Sequence, residues 1–187
     1  ECGYGAWCYE AGFKQHILTT GAFPVKPGAN TSLDGMAATG ASGTTTVKYG
    51  NMRSNVLSLG VVLADGCFIE TGNLAPKSSA GYDLTSLFIG SEGTLDLTTK
   101  LKLRLYPKPD AISAGIVAFE DVDSAFVAVM RTNQLGIPMS RIEFFDTAIT
   151  KALNNFSGAR MPEMPHLLFE LRGSEIAVET GAESFRE

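Results

Sequence analysis

Gly35-Met36-Ala37-Ala38-Thr39-Gly40-Ala41-Ser42-Gly43 carries almost no side-chain bulk, and Thr31 and Ser32 precede it as cap-like residues. Small residues let a backbone approach a ligand, or a second backbone, closely. The run therefore predicts a helical turn that faces something bulky. Tight helix packing explains the same residues without a ligand, and composition alone favours that explanation because Gly/Ala-rich turns are common. Outward from this run the glycines continue. There are 20 in 187 residues, above the usual fraction of about 7%. Gly28, Gly35, Gly40, Gly43 and Gly50 form one cluster, and Gly81, Gly90 and Gly93 form another.

On the N-terminal side, Phe13, Ile17 and Leu18 predict a short amphipathic helix from Gly12 to Gly21. Pro24, Pro27 and Gly28 make residues 22–30 loop or extended chain. On the C-terminal side, Asn55 to Leu63 is rich in Val and Leu, and Cys67 to Thr71 alternates. The Asp65-Gly66 pair between them is a hairpin signal. Leu95 to Leu105 alternates leucines with Lys and Arg, as a half-buried strand does, until Tyr106-Pro107-Lys108-Pro109 breaks it. Two prolines in three residues suit a linker. Beyond it the pattern predicts a strand at Gly115–Phe119, then a helix capped by Asp121 or Asp123 and ended by Gly136 and Pro138. A strand at Ser140–Phe145, a helix at Asp146–Asn155, a strand at Leu167–Leu171 and a polar helix-like Glu175–Glu187 follow. Such alternation fits an α+β layer with helices on one sheet face. Two regions are expected, residues 1–107 and 108–187.

Composition removes several classes. With 20 Asp+Glu against 15 Lys+Arg and no basic cluster, nucleic acid is not an expected partner. A hydrophobic share of 44% argues against disorder. The longest apolar run, Val56 to Ala64, is already interrupted by Ser58 and Gly60. It falls short of the roughly 20 residues that cross a bilayer as a helix. Cys2, Cys8 and Cys67 fit no zinc spacing and read as ordinary thiols of a reducing compartment. His16 and His166 stand far apart, so no metal site is expected from this chain. No nucleophile elbow or Walker-type loop is present. The chain begins with Glu1 and shows no targeting segment, so it reads as an internal piece of a longer protein.

Three stretches carry a more specific signal together. Phe23-Pro24-Val25-Lys26-Pro27-Gly28-Ala29-Asn30 comes first. The small-residue run, continuing to Tyr49-Gly50-Asn51-Met52-Arg53, comes second. Lys77-Ser78-Ser79-Ala80-Gly81-Tyr82-Asp83-Leu84, leading into Phe88-Ile89-Gly90-Ser91-Glu92-Gly93-Thr94-Leu95, comes third. In this order and spacing they resemble the PCMH-type FAD-binding domain of vanillyl-alcohol-oxidase-like flavoproteins. The nearest group is the D-lactate dehydrogenase (cytochrome) type, with glycolate oxidase flavin subunits and D-2-hydroxyglutarate dehydrogenases. The resemblance implies an α+β fold: part of that FAD-binding domain, followed by the start of the ferredoxin-like C-terminal (cap) domain of FAD-linked oxidases.

The same resemblance implies FAD as cofactor. Its binding residues would be Pro27, Gly28 and Ala29; Gly35, Met36, Ala38, Thr39, Ser42 and Gly43; Tyr49 and Gly50; and Gly90, Glu92, Gly93 and Leu97. Pyrophosphate and flavin need backbone N–H donors brought close, with no β-carbons in the way. Glu92 is expected as an acceptor for backbone amides, Tyr82 as a buried phenol, Asp83 as a cap, and Lys48 and Arg53 as solvated charges, with pairing to phosphate as the alternative. In the resembling family the first pyrophosphate loop lies before the position of Glu1, and the metal-binding and catalytic histidines lie after Glu187. No catalytic residue and no metal ligand is therefore expected here, and the chain alone is expected to be inactive. Family members usually carry Asp at the position of Lys26, and Gly at those of Asp34 and Asp96. An aspartate beside a pyrophosphate repels it, so replacing Asp34 and Asp96 by glycine is expected to improve flavin retention.

The reaction implied is oxidation of a D-2-hydroxy acid, foremost D-lactate to pyruvate, with electrons passed to cytochrome c or another acceptor. The mitochondrion is implied for a eukaryotic source, and otherwise the cytoplasm or a peripheral membrane location. Two other readings stay open. One is a remnant that keeps the fold as a binding module without FAD, motivated by Lys26, Asp34 and Asp96. The other is an oxidase of the same superfamily that acts on sugar lactones or aromatic alcohols.

Overall fold

The structure is a computed structural model that describes residues 32–73, 75 and 79–186. The helix expected at Gly12–Gly21 and the loop at 22–30 lie outside the described residues. The chain divides into two compact units, Glu1–Lys108 and Pro109–Glu187.

In the described part of the first unit, three short helices precede a sheet: α1 (Leu33–Ala38), α2 (Thr46–Tyr49) and α3 (Met52–Asn55). Strands β1 (Val56–Leu63) and β2 (Phe68–Gly72) follow, then helix α4 (Leu84–Phe88) and strand β3 (Asp96–Leu103). The sheet order is β2-β1-β3, with both pairings antiparallel. The central strand β1 is almost continuously apolar, as a strand covered by neighbours should be. The hairpin forms where Asp65-Gly66 predicts it. Gly66 turns with φ +83°, and Asp65 Oδ1 accepts from the Cys67 N–H at 2.9 Å. One face of the sheet buries Leu59 and Val61 against Met36, Ala37, Met52, Phe88 and Ile89. The helices thus press their small and apolar residues onto β1.

In the second unit, β4 (Ala111–Ala118), α5 (Val122–Gln134), β5 (Met139–Phe145), α6 (Thr147–Ser157), β6 (His166–Gly173) and α7 (Glu175–Arg186) follow in order. The sheet is β4-β6-β5, antiparallel throughout, with β6 in the middle. Asp121, rather than Asp123, caps α5 through the Ser124 N–H at 2.7 Å, and Asp146 caps α6 through the Ile149 N–H at 2.7 Å. Helices α5 and α7 share one sheet face. Phe126 of α5 stacks on Phe144, Phe185 of α7 meets Phe169, and Phe144 stands opposite Leu167, two residues from Phe169 on β6. Strand β4 starts at Ala111, four residues before the expected Gly115. Its early part, Ala-Ile-Ser-Ala, has a weak β signal and is held by pairing to Glu170–Gly173. His166 is buried, with Nδ1 2.7 Å from the Met164 carbonyl and 3.4 Å from the Thr150 hydroxyl, a structural setting.

Candidate functional site

The small-residue run folds as a capped turn of helix and a sharp exit. Ser32 caps α1 by accepting from the Gly35 N–H at 3.1 Å. At the other end, the Gly40 N–H donates to the Ala37 carbonyl at 3.1 Å and the Ala41 N–H to the Met36 carbonyl at 2.8 Å. That pair of bonds is a Schellman ending, which needs a left-handed residue just past the helix. Gly40 supplies it with φ +61°, and a β-carbon there would stand 3.6 Å from Gly90 Cα. The second glycine cluster therefore lies directly against the first.

Two backbone bonds join them. The Gly90 N–H donates to the Ala37 carbonyl at 2.9 Å, and the Glu92 N–H donates to the Ala38 carbonyl at 3.0 Å. Gly35, Met36, Ala38, Thr39, Gly90, Glu92 and Gly93 are thus brought together as one shelf of main chain. Ser42 and Gly43 continue it: Thr46 Oγ1 accepts from the Gly43 N–H at 3.0 Å and sits 3.0 Å from Ser42 Oγ. Past α2 comes a residue that the sequence does not single out. Asn55 is fully buried, and its Nδ2 donates to the carbonyls of Tyr49 at 2.9 Å and Asn51 at 2.8 Å. It holds the Tyr49–Gly50 bend in place. Only its position at the end of a polar segment before an apolar strand marks it in the sequence.

Several expectations need correction. Met36 is 1% exposed and belongs to the core, and its N–H and carbonyl are taken by the Ser32 carbonyl and the Ala41 N–H. Tyr82 is 96% exposed and is no buried phenol. Glu92 adopts φ 51° and is exposed, and its carboxylate accepts from no backbone amide among the described residues; its contribution is its N–H. Leu97 is 68% exposed in a cross-strand row with Val62 and Phe68. Its neighbouring positions on β1 and β2, Val61 and Ile69, belong to the core cluster, so the Leu97 side chain lies on the other sheet face and is not joined to the shelf. Arg53 is not simply solvated: its Nη2 donates to the Ile89 carbonyl at 2.9 Å. Pro27, Gly28 and Ala29, together with Lys26, lie outside the described residues.

Asp96 also plays a different part. Its carboxylate accepts from Ser91 Oγ and Thr98 Oγ1, each at 2.9 Å, and ties the Ser91 turn to β3. Asp96→Gly is therefore expected to lower stability by about 2 kcal/mol, the scale of a hydrogen-bonded carboxylate, and not to improve flavin retention. Urea unfolding and FAD titration of the variant check both. Asp34 is exposed in the first turn of α1.

Asp83 caps α4, accepting from the Ser86 hydroxyl at 2.6 Å and the Ser86 N–H at 2.9 Å. The hydroxyl, the N–H and, to a lesser degree, the Arg53 charge hold its carboxyl below the ordinary aspartate range. A depressed folded-state pKa stabilises above the unfolded value, and that contribution is lost as pH falls through the folded one. The stability gap between the parent and Asp83→Asn is thus expected at neutral pH and expected to shrink in acid below the ordinary aspartate value. Urea midpoints of both proteins across that range measure it.

No cluster of three or more His, Cys, Asp or Glu placed to hold a metal occurs among the described residues. No helix among them is long and apolar enough to cross a membrane. Residues 13–72 match the FAD binding domain family, and residues 108–186 match the C-terminal domain of FAD linked oxidases. The chain belongs to the FAD-linked oxidase flavoproteins. A probable mitochondrial D-lactate dehydrogenase of Danio rerio is 48% identical over 160 residues, which cover 84% of this chain and 32% of that protein. The mitochondrial D-lactate dehydrogenase [cytochrome] of Arabidopsis thaliana is 44% identical, covering 82% of this chain and 27% of the relative. Glycolate oxidase subunit GlcD of Bacillus subtilis is 36% identical over 73% of this chain and 30% of its own length. The chain thus spans about a third of the length of the curated relatives it matches. Two solved structures share the fold. An alkyldihydroxyacetonephosphate synthase gives a TM-score of 0.72 at 20% identity, covering 92% of this chain and 35% of that one. A p-cresol methylhydroxylase gives 0.70 at 18%, covering 95% and 40%.

FAD is the cofactor of this family, and the shelf suits it chemically. The main-chain N–H groups of Ser42 and Gly93 meet no acceptor among the described residues. Gly93 has open space where a β-carbon would stand. Donors without acceptors on an exposed, small-residue surface are what an anionic, planar group can use.

Proposed function

We propose that the whole protein is an FAD-dependent oxidoreductase acting on a D-2-hydroxy acid, with D-lactate to pyruvate as the leading reaction and cytochrome c or another carrier as acceptor. The observation that supports this reading most is the union of the two glycine clusters by the Gly90–Ala37 and Glu92–Ala38 backbone bonds. It occurs in a chain with 48% identity to a probable D-lactate dehydrogenase. Residues 1–107 are assigned to the FAD-binding domain and 108–187 to the cap domain. The main chain of Gly35, Ala38, Thr39, Ser42 and Gly43 would hold FAD from one side. Gly90, Glu92 and Gly93 would hold it from the other, with Met36, Tyr49 and Gly50 shaping the floor. Pro27, Gly28 and Ala29 would add to the anion-facing loop, and Leu97 would contribute main chain at the start of β3.

When bound, FAD supplies the acceptor for the hydride lost by the hydroxy acid. The chain's own residues bind and orient: Ser42 and Gly93 offer free N–H groups, and the Schellman ending sets Gly40 directly against Gly90. No described residue is assigned as proton acceptor. For a eukaryotic source the mitochondrion is the proposed location, as in the names of the Danio and Arabidopsis relatives. For other sources it is the cytoplasm or a membrane periphery.

The whole protein, reconstituted with FAD, is expected to lose its visible flavin band when D-lactate is added without oxygen, and then to reduce cytochrome c. Failure to take up FAD favours the remnant reading. Uptake of FAD with bleaching only by lactones or aromatic alcohols favours another oxidase of the superfamily.

A further inference from the structure

Arg53 sits on α3, yet its guanidinium reaches a carbonyl 36 positions along the chain: Nη2 donates to Ile89 O at 2.9 Å. Ile89 is buried, caps the C-terminus of α4 and is followed directly by Gly90. A β-carbon built on Gly90 would stand 3.6 Å from Arg53 Nη2, so the guanidinium lies against the first residue of the glycine turn. Helix α4 has five residues, too few to persist on its own. It is held from outside by packing and by two side-chain bonds. Phe88 and Ile89 are buried in the core, Thr85 meets Thr71 hydroxyl to hydroxyl at 2.8 Å, and Arg53 Nη2 ties down the Ile89 carbonyl. Of the two bonds, the second acts at the end of α4 from which the Gly90–Gly93 turn departs.

We infer that Arg53 is a positioning residue for the cofactor: by anchoring the Ile89 carbonyl it sets where the Gly90–Gly93 main chain meets Ala37 and Ala38. The inference rests on the FAD reading above and goes beyond it, because Arg53 itself need touch no part of the cofactor. A guanidinium carries its N–H groups in a rigid plane that fixes the direction of the bond to the Ile89 carbonyl. An ammonium on a flexible stem fixes that direction poorly.

The test uses the whole protein with Arg53→Lys, Arg53→Ala and the parent. FAD affinity is read by flavin fluorescence, and the ring's surroundings by visible circular dichroism. Arg53→Ala is expected to weaken FAD binding roughly tenfold or more, the scale of one charge-assisted hydrogen bond, with an altered visible dichroism band. Arg53→Lys is expected to fall between the two and to recover part of the band. If Arg53→Lys binds FAD within about twofold of the parent with an unchanged band, the positioning role is overturned, even where Arg53→Ala fails to fold. Lowered thermal stability of Arg53→Ala with unchanged FAD affinity overturns it as well. A parent that binds no FAD overturns the FAD reading and this inference together, whereas FAD binding that ignores both variants overturns this inference alone.

Discussion

Asn55→Asp is expected to lower the unfolding free energy by about 4 kcal/mol, although the two side chains are nearly the same shape. Asn55 is fully buried and gives both of its Nδ2 hydrogens to main-chain carbonyls, those of Tyr49 and Asn51. A carboxylate in its place has no hydrogen to give. It would set negative charge against two carbonyl oxygens with no water to relieve it, and unpaired buried groups cost about 1–3 kcal/mol each, more when charged. Asn55→Ala removes the donors without adding the charge and is expected to cost about 3 kcal/mol. The order parent, alanine, aspartate in urea midpoint at neutral pH is the result to look for. An aspartate variant as stable as the alanine one would mean that the site admits water. Because Tyr49 and Gly50 end α2, whose first residue Thr46 meets Ser42 and Gly43, both variants are also expected to weaken FAD uptake.

Asn55 and Arg53 show where the sequence stops being informative. The hairpin at Asp65-Gly66, a cap at Asp121 or Asp123 and the helices of the second unit are legible because their causes are local. A turn pair, a side chain three residues from the N–H it accepts from, and a 3.6-residue stripe all lie within one window. Both glycine clusters are legible for the same reason, since absent side chains leave a mark in composition. What joins the clusters is not local. The Gly90–Ala37 bond, the Arg53–Ile89 bond and the Asn55 bonds depend on how α1, α3 and α4 settle on β1. A polar residue with a distant main-chain partner carries no periodicity that foretells it. The misplacements follow the same rule. Asp96 reads as an obstacle to phosphate until Ser91 and Thr98 are found to hold its carboxylate. Leu97 reads as part of a motif until the pairing of Val62 with both Phe68 and Leu97 puts its side chain on the far face of the sheet.

Gly72→Ala is expected to cost about 4 kcal/mol, and a second glycine separates the two causes. Gly72 ends β2 with φ +69°, a conformation in which a side chain is already strained by about 1–2 kcal/mol. Its β-carbon would also stand 2.3 Å from the Leu57 carbonyl oxygen and 2.7 Å from Thr85 Oγ1. Neither neighbour can yield freely. Leu57 O belongs to β1, whose next residue, Ser58, pairs with Gly72, and Thr85 Oγ1 is committed to Thr71 in the buried hydroxyl pair. Gly66 has φ +83° but open space around its would-be β-carbon. Gly66→Ala therefore isolates the conformational cost and is expected to lower stability by about 1 kcal/mol. The excess at Gly72 measures the crowding. Relief of that crowding requires either the β1–β2 pairing or α4 to move, and α4 leads into Ile89 and Gly90. Gly72→Ala is thus expected to weaken FAD uptake, whereas Gly66→Ala leaves it unchanged. Equal stability losses at the two glycines would show that the Leu57 and Thr85 contacts relax at no cost.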